Sequence, residues 1–217
     1  MVFSILNLAV NAHQTWSIEL KGSDSVDHYR ESVQKITPLI EKVRAMDTSF
    51  YRMEQTARAR KNDTMKNGEK GLRHYSSTTY GDALYFLQRL GFEQIFYWNY
   101  YGNGSTAAVD SLLGIKYIIS PQSDQYEPYP KRLEQNGIAV YQNPNALPLA
   151  FTVSNNILGS WSLTEDLFEV QNQMLIGMTD HQFPALYRKA TVEKSSFSNP
   201  CWSSDVTSIN EITWELK

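Results

Sequence analysis

The chain has a single cysteine, Cys201, among 217 residues, so no disulfide can form within it. One thiol identifies no redox compartment, and Cys201 reads as a small, partly buried apolar group. Metal-ligand spacing is missing too. His13, His28, His74 and His181 are scattered, and neither HxxxH nor CxxC occurs. GxSxG, the turn that presents a nucleophilic serine, is absent, and so is the phosphate-cradling GxxxxGK[ST]. Asp63, Asp82 and Asp110 are far apart in sequence, so no carboxylate pair for acid–base work is visible. A basic excess is lacking: the net charge of -3 gives no electrostatic case for nucleic acid. No cofactor motif is present, and there is no internal repeat or low-complexity tract.

Long apolar runs are also lacking. Val2 to Val10, VFSILNLAV, is too short to span a bilayer and contains Asn7. No Lys or Arg precedes Lys21, so the charged leading segment of a signal peptide is missing. Trp16, just past the apolar run, suits an interfacial anchor. Residues 1–16 are therefore expected to be the end of a transmembrane helix, against the alternative of an ordinary buried element.

What is present is a folded chain. At this length about 70% of the unfolded surface can be buried, so no covalent staple is needed. The stretch Asn99 to Ser120, NYYGNGSTAAVDSLLGIKYIIS, reads as a glycine-bearing turn, a short helix and a buried strand. Ser105 and Thr106 are N-cap types ahead of Ala108, Leu112 and Leu113 at helical spacing. Gly114 stands where a helix end favours a left-handed residue, and Ile115 to Ile119 is a β-branched apolar run. Such a unit predicts an α/β (or α+β) architecture, a mixed sheet with flanking helices.

Elsewhere, Val26, Tyr29, Val33, Ile36, Ile40, Val43 and Met46 mark an amphipathic helix, capped by Ser23 or Ser25 and kinked at Pro38. Ser49 to Thr56 alternates as a strand, and the Lys- and Arg-rich 57–71 stretch reads as a loop. That loop is either simply solvated or a contact for anionic headgroups or polymer phosphates. Leu72 to Thr79 reads as a strand or an extended edge, Gly81 to Leu90 as a helix, Lys131 to Gln135 as a helical turn and Ile138 to Tyr141 as a strand. Ala150 to Val153 reads as a strand, Ser162 to Met174 as a helix capped by Ser162, and Ile212 to Leu216 as a strand. The expected division is an α/β domain over 17–157 and a β-rich extension over 158–217 that looks truncated.

Two site readings follow from the central stretch. Tyr97, Trp98, Asn99, Tyr100, Tyr101 and Asn103 combine ring faces for sugar stacking with amides that read hydroxyls; Tyr75 and Tyr80 add further rings. The opposing reading is that these rings pack a sheet. Gly102, Gly104, Ser105 and Thr106 offer backbone N–H groups at a helix start, an anion cradle, against a purely structural turn.

Four segments carry a resemblance. FYRMEQTARARKNDTM (Phe50–Met65), LRHYSSTTY (Leu72–Tyr80), LLGIKYIIS (Leu112–Ser120) and VYQNPNALPLAF (Val140–Phe151) resemble, in that order, the extracytoplasmic region of the YfhO family of bacterial membrane proteins. The likeness covers roughly Ser49 to Phe151. It implies a multi-spanning, GT-C-type glycosyltransferase in the cell membrane. That enzyme would move a sugar from a polyprenyl-phosphate carrier to a surface polymer such as lipoteichoic acid. This chain would be an extracytoplasmic domain that shapes donor or acceptor binding. The family's catalytic carboxylate is expected in an early loop that nothing here matches, so no catalytic residue is carried over and the chain alone is expected to be inactive. The rival readings are a scaffold or interaction domain with no glycan ligand, and a free-standing enzyme.

Overall fold

A computed structural model describes residues 2–22, 26–56, 62–101, 105–121, 129–160, 166–180, 182, 184–191 and 212–216. Helix α1 covers Val2–Gly22 and α2 covers Val26–Met46. The apolar side chains of α1, from Phe3 to Ile18, are largely exposed. Among the described residues no helix is long and apolar enough to cross a membrane. One helix, α2, runs through Pro38. A mid-helix proline costs about 3 kcal/mol, and here burial of Ile36, Leu39, Ile40 and Val43 on one face outweighs it. The expected caps Ser23 and Ser25 lie outside the described residues.

The central sheet has the order β1-β4-β6-β5, with β1 at Arg52–Gln55, β4 at Ile115–Pro121, β5 at Lys131–Gln135 and β6 at Ile138–Gln142. β1 runs parallel to β4, while β4/β6 and β6/β5 are antiparallel. The sheet is thus mixed, as the loop–helix–strand pattern implies. Period-two alternation gives it two apolar faces. Tyr117, Ile119, Val140 and Met53 pack on α2. Ile118, Ala139 and Tyr141 face the other layer.

That second layer is built from α4 (Gly81–Arg89), α5 (Ala107–Leu112) and α7 (Leu167–Met178), with a hairpin of β2 (Glu93–Ile95) and β3 (Trp98–Tyr100) beside α4. Leu87, Leu90, Val109 and Met174 supply its core. A single turn, α3 (Asp63–Lys66), interrupts the basic 57–71 stretch, whose residues 57–61 lie outside the described set. A short α6 (Ile157–Ser160) precedes α7, and β7 (Tyr187–Thr191) pairs with β8 (Ile212–Leu216), the strand expected from Ile212, Trp214 and Leu216.

Four expectations need correction. Lys131 to Gln135 is strand β5, not a helical turn. Asn136 and Gly137 both take positive φ, 54° and 74°, the geometry of a two-residue hairpin, and cross-strand pairing with β6 overrides the helix-forming side chains. Ala150 to Val153 has no strand partner among the described residues and is irregular. Leu72 to Thr79 makes only one bridge among the described residues, Tyr75 to Trp98. The helix expected from Ser162 begins at Leu167, because the Asp166 side chain accepts from Glu169 N at 3.2 Å and caps it there; Ser162 lies outside the described residues.

The NPN turn of the VYQNPNALPLAF segment closes this architecture. Asn143 Nδ2 donates to Ile115 O at 3.1 Å, and Asn143 N donates to Lys116 O at 2.8 Å. Leu147 N then donates to Ser111 O at 2.9 Å, which ties the end of β6 to α5. Gly114, at φ 68°, lets that segment approach: a Cβ there would stand 3.0 Å from Leu147 O.

Candidate functional site

The aromatic run from Phe92 to Tyr101 folds as the β2–β3 hairpin, with Ile95 opposite Trp98. Phe96 and Tyr97 make the reversal. Phe96 sits at φ 53°, in the left-handed region unusual for a bulky residue, and Gln94 Nε2 donates to its carbonyl at 2.7 Å. The reversal turns both rings outward: Phe96 is 87% exposed and Tyr97 54%. With Tyr75, Ile95, Trp98 and Tyr100 they line an open cavity of about 400 Å³. The Trp98 and Tyr100 rings stack at 4.0 Å between centroids.

Behind the stack lies a buried polar layer. The Arg73 guanidinium sits 5.8 Å from the Trp98 ring centroid and 5.9 Å from that of Tyr100. Glu54 of β1 is 0% exposed and its Oε1 accepts from the Leu72 and Arg73 backbone amides. Its Oε2 is buried with no hydrogen-bond partner among the described residues. Burial pushes the Glu54 carboxyl up to about 7, against the pull of those two amides and of the Arg73 charge. Asp110 of α5 is also raised by burial, against hydroxyl hydrogen bonds from Ser105, Tyr129 and Tyr101. The layer locks the hairpin to the sheet and lends the ring stack a buried cation.

The expected site residues separate into four groups. Tyr97 and Trp98 reach the cavity, and Tyr100 forms its floor. Asn99 and Tyr101 are each 1% exposed. The Asn99 backbone N–H donates to His74 O at 3.3 Å, and the Tyr101 hydroxyl donates to Asp110 Oδ2 at 3.0 Å. Gly102, Asn103 and Gly104 lie outside the described residues. Ser105 donates to Asp110, while Thr106 caps α5 by accepting from Val109 N and donates to Gln171 at 2.8 Å. Both hydroxyls are therefore engaged within the protein.

Two features went unread in the sequence. Phe96 and Ile95 join the cavity because the reversal falls at Phe96–Tyr97, and no glycine or asparagine marks it. Glu54 and Arg73 meet only through the fold. A larger apolar cavity of about 540 Å³ lies elsewhere, between α5, α7 and the 145–153 segment, and no ionisable side chain among the described residues lines it. Among the described residues no group of three His, Cys, Asp or Glu side chains is placed to hold a metal.

The family model described as bacterial membrane protein YfhO matches residues 1–215. The chain belongs to that family. No curated protein and no solved structure matches it. Membership places the chain in a family of bacterial membrane proteins. The four motif segments supply β1, the Tyr75 bridge to the hairpin, β4 and the NPN turn.

Proposed function

We propose that this chain is the extracytoplasmic part of a membrane glycosyltransferase and that its β2–β3 hairpin holds the glycan of a surface polymer such as lipoteichoic acid. The sugar would come from a polyprenyl-phosphate carrier handled by the membrane portion, where catalysis would take place. The observation that carries the binding claim is the open aromatic cavity of Tyr75, Phe96, Tyr97 and Trp98. A sheet that merely packed its rings would not leave Phe96 and Tyr97 facing solvent together. Ring faces stack on the C–H faces of a pyranose and exclude water there, while the Tyr75 and Tyr97 hydroxyls offer hydrogen bonds to its edge. The YfhO resemblance supports the reaction class, and residues 1–16 would lead out of the membrane.

The test is an NMR titration of the chain with lipoteichoic acid fragments, run beside Phe96→Ala and Tyr97→Ala. Shifts centred on Glu93 to Tyr100, and affinity lost in both variants at unchanged melting temperature, are expected. A well-folded chain that shows no shift would instead establish the scaffold reading.

A further inference from the structure

A second cavity, of about 290 Å³, opens on the α2 side of the sheet, between the C-terminal end of α2, the Thr48–Tyr51 segment and the Gly68–Lys70 turn. Its size is at the lower end for ligand pockets, about 300 Å³. Unlike the apolar cavity, it is lined by charged and hydroxyl groups that converge from three directions.

The Arg44 guanidinium is fixed in the wall. Its Nη2 donates to Gly68 O at 2.6 Å. Gly68 has φ 71°, the left-handed region that favours glycine, and a Cβ there would stand 3.0 Å from Arg44 Nη2. Lys70 also lines the cavity, its ammonium 4.6 Å from the Phe50 ring centroid. Tyr51, Thr48 and Ser49 add hydroxyl-bearing side chains.

Two carboxyls also border the cavity, and neither cancels these cations. Asp47 is already paired: Lys116 Nζ lies 2.5 Å from its Oδ2, the Tyr117 hydroxyl donates to it at 2.9 Å, and Ser49 donates through both N and Oγ. Burial opposes its charge, but those donors win and hold it well below the usual carboxylate range. Glu69 is pushed up to about 8, mainly by burial. The groups facing it are Gln55 and Glu54 of β1, Arg44 of α2 and Asp63 of α3, and Gln55 Nε2 donates to it at 3.0 Å. At neutral pH the lining carries Arg44 and Lys70 against Asp47, whose charge Lys116 offsets from beside the cavity, while Glu41 Oε1 lies 3.8 Å from Arg44 Nη1 at the exposed side of α2.

We infer that this cavity is an anion subsite that takes a phosphate group, with Arg44 and Lys70 supplying the charge and Tyr51 and Thr48 supplying hydroxyl donors. A tetrahedral oxyanion suits donors that arrive from several directions better than a planar carboxylate does, and a fixed guanidinium is the preferred partner of phosphate. The site lies on the opposite face of the sheet from the aromatic hairpin, and it stands or falls independently of the glycan reading.

Isothermal titration with glycerol 3-phosphate at pH 7 tests it, with NMR to locate the site. Amide shifts at Ser49, Gly68, Glu69 and Lys70 are expected. Lys70→Gln, at the exposed rim, should weaken binding about fivefold with an unchanged melting temperature, and Arg44→Gln should weaken it further. Raising the pH from 7 to 9 ionises Glu69 and should weaken binding in the native chain but not in Glu69→Gln; a phosphate monoester, whose second pKa is about 6, stays dianionic throughout. Flotation with phosphatidylglycerol vesicles separates the sources. Vesicle binding that Lys70→Gln abolishes assigns the site to lipid headgroups, and binding of the soluble ester alone assigns it to a free or polymer phosphate. If neither probe binds, or if Lys70→Gln and Arg44→Gln leave the affinity unchanged, the assignment is wrong. Neutral glycan binding at Tyr97 should be untouched by both variants.

Discussion

Replacing Glu54 with glutamine should make the fold less sensitive to rising pH. Glu54 is fully buried and its carboxyl is raised from the ordinary 4.5 to about 7. Between those two values the folded chain keeps a proton that the unfolded chain has released. The stability contribution is therefore whole below about pH 4.5 and is lost as pH climbs through about 7. At about 1.36 kcal/mol per pH unit the window holds about 3 kcal/mol. Glu69, raised to about 8, adds a second loss that extends higher. Urea unfolding measured at half-unit steps from pH 5 to 9 reads the slope directly. The native chain should lose stability up to about pH 8 and then level off, Glu54→Gln should lose about one proton's worth of slope below pH 7, and the double variant with Glu69→Gln should be nearly flat. The substituted amide side chain keeps an oxygen for the Leu72 and Arg73 backbone amides, so the stability of Glu54→Gln near pH 5 should be close to native. The reasoning is refuted if the native profile is flat and Glu54→Gln costs several kcal/mol at every pH. That pattern would mean a permanently ionised Glu54 paired with Arg73, whose loss leaves a buried unpaired charge costing about 3–5 kcal/mol.

Tyr100→Ala should behave unlike Tyr97→Ala, because Tyr100 is buried under Trp98: expect about 3 kcal/mol or more lost in chemical denaturation, where Tyr97→Ala changes little. Asn143→Ala strands the Ile115 carbonyl and should cost about 1–3 kcal/mol, read as a lower urea midpoint with an unchanged denaturant slope. Leu39→Ala, beneath the sheet on α2, should cost about 2–5 kcal/mol; a cost under about 1 kcal/mol would show that α2 does not pack there.

The elements governed by local chemistry were legible in the sequence. Thr106 as the cap of α5 and Gly114 at its C-terminal end act through neighbours a few residues away, and each sits as its pattern implies. The errors came where a distant partner decides. Lys131 to Gln135 is rich in helix formers, yet pairing with β6 makes it a strand, and the Asn136-Gly137 signal beside it carried that information. Ala150 to Val153 has strand-forming residues and, among the described residues, no strand to join. In the site, ring identity was visible but exposure was not, since alternation alone does not say which residues make the reversal. The Phe96–Tyr97 tip, and the Glu54–Arg73 layer beneath it, depend on contacts between segments that only the fold brings together.

The parallel pairing of β1 with β4 also has a consequence in time. β4, β5 and β6 are consecutive in the chain and pair antiparallel, whereas Arg52 must find Ile115 across the whole α3–α5 excursion. Closing that loop is entropically costly before any contact rewards it. The three antiparallel strands should therefore assemble first and β1 should dock late, carrying α2 and the buried Glu54 with it. In pulse-labelled hydrogen exchange the amides of Ile118 and Val140 should gain protection before those of Met53 and Gln55. A mutation at the β1–β4 seam would then speed unfolding while barely touching the folding rate.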